Sequence, residues 1–83
     1  MTNEEIQRFI QQKVPGNSPV QINFKTRRSL KGVFLQLPDY EELRRKNLWR
    51  IVSESYIDSY MTTNDVNLAR IFNGAEITKL EKI

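Results

Sequence analysis

The sequence predicts an all-β small barrel preceded by an N-terminal α-helix. Three observations predict it. The first fourteen residues carry apolar side chains at helical spacing, most of the remainder falls into short β-prone runs separated by turn residues, and a lone glycine, Gly32, interrupts one of those runs. Short alternating runs bounded by turn signals are the pattern of a small antiparallel sheet. A glycine inside a strand marks a bulge or a sharp bend, which a small barrel needs in order to close.

Residues 2–14 form the helix. Thr2 and Glu5 have capping-box spacing, with the hydroxyl available to a first-turn amide and the carboxylate reaching back. Ile6, Phe9, Ile10 and Val14 make one apolar face, which suits a lid on a sheet or barrel. Pro15, Gly16, Asn17, Ser18 and Pro19 end the helix.

Residues 20–24 alternate strictly, so Val20, Ile22 and Phe24 point inward. Residues 25–29 are a charged connection, and residues 30–37 resume the β pattern through Gly32. Residues 38–47 read as a short helix. Asp39 stands at the N-cap with Glu42 three residues on. Glu41 and Glu42 fall in the first turn, Arg44, Arg45 and Lys46 in the last, and Asn47 at the left-handed cap position.

Residues 48–57 are rich in β-branched and aromatic side chains and read as a strand. A competing pattern runs through Tyr40, Leu43, Leu48, Ile51, Val52 and Tyr56, which lie near helical spacing and extend the short helix instead. Residues 58–65 read as a loop, and residues 66–72 and 75–82 as the last two strands. Asn73 and Gly74 between them read as a tight hairpin turn, since both residues tolerate positive φ. The organisation is one domain over 1–83, with a helix at 1–14 and a five-stranded barrel at 20–82 that carries a helical insert near 39–47.

Composition narrows the function. At 83 residues the chain builds one small domain with a modest core, for which oligomerisation is a common support. It has no cysteine and no histidine. Disulfides, thiolate metal sites and Ser-His or Cys-His nucleophiles are therefore excluded. The acids Asp39, Glu41, Glu42, Glu54, Asp58 and Asp65 are scattered, and no phosphate loop, dinucleotide fingerprint or nucleophile elbow is present. No enzyme activity, cofactor or metal is expected. The opening MTNEEIQRF carries two acids and does not read as a signal peptide, and no apolar run is long enough to span a bilayer. A soluble, cytoplasmic protein without membrane contact is expected. A net charge of +3 and a pI near 9.5 permit phosphate contact without demanding it.

Two stretches resemble the motifs of the Sm-like fold (the Sm, LSm and Hfq proteins). The first is Gly32, Phe34, Asp39 and Asn47-Leu48: a bent strand glycine, an apolar residue two later, an acidic loop, then Asn entering the next strand. The second is the run from Ile71 through Asn73, Gly74 and Ile77. The resemblance covers nearly the whole chain. It departs from the family pattern in the helical insert between Asp39 and Asn47, and in Asn73 standing where family members usually carry Arg or Lys. It implies a strongly bent five-stranded antiparallel sheet and a homo-oligomeric ring in which the fourth strand of one subunit pairs with the fifth of the next. The turn at Asn73-Gly74 then faces the ring lumen, and the expected partner is single-stranded RNA, U- or A-rich.

RNA binding of this kind needs a stacking face, base-edge hydrogen bonds and nearby positive charge. Tyr40 offers the stacking face, Asn47 and Asn73 with the backbone at Gly74 offer edge contacts, and Arg44, Arg45 and Lys46 or Arg27 and Arg28 offer phosphate contacts. Each has a plainer reading. Tyr40 packs under the insert, Asn47 caps the helix, Asn73-Gly74 is only a turn, and the basic residues are solvated. Trp49 and Phe34 read as core, with a subunit interface as the alternative for Trp49. A structural or protein-interaction barrel with no nucleic-acid role is the competing function.

Overall fold

The computed structural model describes residues 1–13 and 18–83. Helix α1 spans Asn3–Lys13 and strand β1 spans Val20–Phe24; β2 spans Leu30–Phe34, α2 Tyr40–Arg45 and β3 Leu48–Ser53. Then follow α3 at Ile57–Thr63, β4 at Ala69–Asn73 and β5 at Ile77–Lys82. Short 3-10 turns occupy Glu54–Tyr56, Val66–Leu68 and Gly74–Glu76.

The start of α1 is the expected capping box. Thr2 N donates to Glu5 Oε1 at 2.9 Å, and Glu5 N donates to Thr2 Oγ1 at 3.2 Å. The bond from Thr2 N, with the Thr2 hydroxyl beside it, lowers the Glu5 carboxyl from its ordinary pKa. Ile6 and Ile10 are buried and Phe9 packs against the same cluster. Val14 and the terminating Pro15, Gly16 and Asn17 lie outside the described residues.

The five strands form one antiparallel sheet in the order β4-β3-β2-β1-β5. Its two edge strands, β4 and β5, are consecutive in sequence. Only four Cα steps separate Asn73 from Ile77, a reach of at most about 15 Å, whereas the edges of a flat five-stranded sheet stand about 19 Å apart. The sheet must therefore curl. Phe24 on β1 and Phe72 on β4, three strand spacings apart along the sheet, meet with ring centroids 5.4 Å apart. The result is compatible with a small barrel-like fold, but β4 and β5 do not pair and the sheet is not closed.

Two apolar clusters lie on opposite faces of the sheet. The larger joins Ile6 and Ile10 of α1 to Val20, Ile22, Phe34, Trp49, Ile51, Phe72, Ile77 and Leu80. Each fully buried aliphatic side chain there contributes about 1.5–3 kcal/mol. Trp49 is 1% exposed and packs edge-on against Phe34, with centroids 5.9 Å apart, so it is core. The smaller cluster joins Val33, Leu35 and Val52 to Tyr60 of α3.

Several sequence expectations are corrected. The strand expected over 48–57 stops at Ser53, and the loop expected over 58–65 is mostly helix α3, which places Tyr60 over the outer face of β2 and β3. The helix does not run on through residues 48–53, because those residues pair with both β2 and β4. The second strand ends at Phe34 rather than at residue 37, and the strands expected from 66 and 75 each begin with a 3-10 turn. No bulge falls at Gly32, where the register with Ser53 is regular. Glycine is needed there for close approach: a Cβ would stand 2.6 Å from the Val52 carbonyl oxygen. Finally, Asn73-Gly74 does not close a hairpin, since the strands it joins are opposite edges of the sheet. Asn73 has φ −82°, and the turn is 3-10.

Candidate nucleic-acid interface

The left-handed residue expected after α2 is present. Asn47 has φ 57°, and its N–H closes the helix end on the Arg44 carbonyl at 2.9 Å. This turn brings the Asn47 carbonyl to the β4–β5 connection, where Gly74 N donates to it at 2.7 Å. The Asn47 side chain is shared inward. Its Oδ1 accepts from Trp49 Nε1 at 2.8 Å, and its Nδ2 donates to the Met1 carbonyl at 3.1 Å. The Met1 nitrogen in turn donates to the carbonyls of Gly74 and Ile77. A Cβ at Gly74 would fall 2.6 Å from Asn47 Cγ, so only glycine fits against this amide. The two stretches singled out in the sequence thus meet in one junction.

Asn73 is exposed, and its Oδ1 accepts from Ala75 N at 2.9 Å, which leaves its NH2 without a protein acceptor among the described residues. Tyr40 sits apart from Asn73, under α1. Its ring packs edge-on against Trp49 at 6.1 Å, and its hydroxyl donates to Gln7 Oε1 at 2.6 Å. Partial burial pushes the phenol above its ordinary pKa, Glu41 adds to the rise, and Arg44 opposes it. Asp39 does not cap α2 through its side chain. Its carboxylate instead accepts from Arg50 Nη1 of β3 at 2.7 Å, tying the insert to the sheet.

The basic residues divide. Arg44 is held by Glu41 at 2.6 Å, and that bond pushes its pKa up; Lys46 lies 3.8 Å from Glu42. Both are helix-surface pairs of the kind that contribute little to stability. Arg45 has no partner among the described residues. Arg27 lies over the rings of Phe24 and Phe72, 5.3 and 5.2 Å from their centroids, a cation–π arrangement. Arg27 and Arg28 line a groove of about 720 Å³ between the 25–29 connection, β3 and β4. Its other walls include Tyr56, Asn67 and Arg70, none of them a candidate site residue from the sequence. No sequence signal placed them together, because the groove exists only once the sheet has curled.

No helix among the described residues is long and apolar enough to cross a membrane, and no group of three or more acidic, cysteine or histidine side chains among them is placed to hold a metal ion. Compared with known proteins, the chain matches no family model, no curated protein and no solved structure.

Proposed function

We propose that the chain is an Sm-like protein that assembles into a ring and holds single-stranded, U- or A-rich RNA without catalysis. The observation that carries this reading is the Asn47–Gly74 junction, flanked by the two open sheet edges β4 and β5. Pairing β4 of one subunit with β5 of the next satisfies both rows of exposed backbone groups. Half-exposed Ile71 on β4 supplies apolar surface for the seam. Ring closure repeats the junction around a pore, so weak contacts to one nucleotide add up along a strand. Asn73 offers amide donors to a base edge, and Arg27, Arg28 and Arg45 offer phosphate contacts.

A second reading is a ring of the same build that serves protein interactions alone. It is supported by the inward use of Tyr40 and Asn47, whose polar atoms are already bonded to Gln7, Trp49 and Met1. Fluorescence anisotropy of labelled oligo-U and oligo-A RNA at low and moderate salt separates the two. RNA binding predicts an affinity that falls with salt, because phosphate neutralisation releases counterions, and that falls again in Asn73→Ala. The protein-interaction reading predicts a ring-sized particle with no such affinity.

A further inference from the structure

We propose that the groove beside β3 and β4 is a nucleotide site, which takes a phosphate on its arginines and a base against Tyr56. Its volume, about 720 Å³, falls within the range of sites that enclose small molecules. Arg27, Arg28 and Arg70 line it, no carboxylate does, and none of the three is ion-paired among the described residues. Three guanidinium groups without a counter-ion are complementary to an anion, and the planar fork of arginine suits phosphate oxygens. Stacking on Phe24 and Phe72 restrains the Arg27 guanidinium while leaving its N–H donors without a protein acceptor among the described residues.

The rest of the groove is made for something larger than a bare anion. Ile51 and Phe72 give it an apolar floor. Tyr56 is 51% exposed on its wall, which leaves a ring face open to stacking, and the Asn67 side chain offers amide donors and an acceptor to a base edge. An aromatic base joined to a phosphate satisfies all of these features together. The assignment extends beyond the strand-binding reading, with which it shares Arg27 and Arg28, since it holds equally for a free nucleotide and for one unit of a strand.

The test is an NMR-detected titration of the full chain with AMP, UMP and inorganic phosphate, beside anisotropy with the two RNA oligomers. The variants are Arg28→Gln with Arg70→Gln, and Tyr56→Ala. All three residues are exposed, so the fold is expected to survive. Free nucleotide shifting the Asn67 and Arg70 amides, with about tenfold weaker binding in either variant, supports the assignment and makes the ligand a free nucleotide. Silence with free nucleotide but the same about tenfold loss for an oligomer supports it with the nucleotide coming from a strand. Phosphate binding as well as nucleotide does, with Tyr56→Ala indifferent, overturns it. No binding at the groove in any arm also overturns it. RNA binding that Asn73→Ala weakens and the groove variants leave alone defeats the groove and spares the strand reading. Free nucleotide binding by a protein with no RNA affinity does the reverse.

Discussion

The backbone N–H of Gly74 donates to the carbonyl oxygen of Asn47 at 2.7 Å, and the Asn47 amide occupies the space a Cβ at Gly74 would need. One hydrogen bond and one steric exclusion therefore lock the end of α2 to the connection between the sheet's two edges. Gly74→Ala must push the Asn47 amide off the Trp49 indole, leaving a buried N–H without its acceptor. It is expected to cost about 2 kcal/mol in urea unfolding. Asn47→Gly keeps the left-handed backbone and removes the obstructing side chain, so the double variant is expected to cost less than the sum of the singles. Strict additivity would contradict the junction.

Gly32 is the second position closed to a side chain. Gly32→Ala brings a methyl against the Val52 carbonyl oxygen and Ile51 Cγ2. The central β2–β3 pairing must yield, at a cost of about 1–3 kcal/mol by thermal or urea unfolding. A neutral substitution would mean that β2 and β3 lie further apart than described.

Helix α3 is anchored chiefly by Tyr60, which is 8% exposed against Val33, Leu35 and Val52, with half-buried Ile57 packed against the same cluster. Tyr60→Ala is expected to destabilise by about 3 kcal/mol, and to raise amide exchange in α3 before that in β1. A loss below about 1 kcal/mol would show that this second cluster adds little.

The phenol of Tyr40 gives a pH dependence with a fixed sign. Its pKa in the fold lies above the ordinary value of 10.0, chiefly because the ring is half-buried. Its contribution to stability is whole below the ordinary value and is lost as pH rises through the raised one. Urea midpoints compared from about pH 8 to about pH 11 should fall more for the native chain than for Tyr40→Phe. Equal falls would place the phenol in water.

The pattern of legibility follows from range. The capping box at Thr2 and Glu5, the alternation of Val20 and Ile22, and the left-handed Asn47 are set by neighbours a few residues away, and each appears as the sequence predicts. Helix α3 is not legible in the sequence because its polar residues read as loop. Its only local signals are Ile57 and Tyr60 three apart and the left-handed Asn64 that ends it. Asn73-Gly74 reads as a hairpin turn because that dipeptide favours hairpins, whereas its partners here are set by the sheet order. Asp39 reads as a cap from sequence because no local pattern shows Arg50 across the turn. The Asn47–Gly74 junction was legible only as two resembling stretches, whereas the groove with Tyr56 and Arg70 depends on curl and had no sequence trace.

Whether a ring of this chain holds RNA at the junction is tested in one sample. Anisotropy of labelled oligo-U and oligo-A RNA is read at low and moderate salt, with particle mass from light scattering. A ring-sized particle, micromolar or tighter binding that weakens with salt, and further weakening in Asn73→Ala are expected. A monomer, or a ring whose RNA affinity is absent at low salt, would contradict this reading.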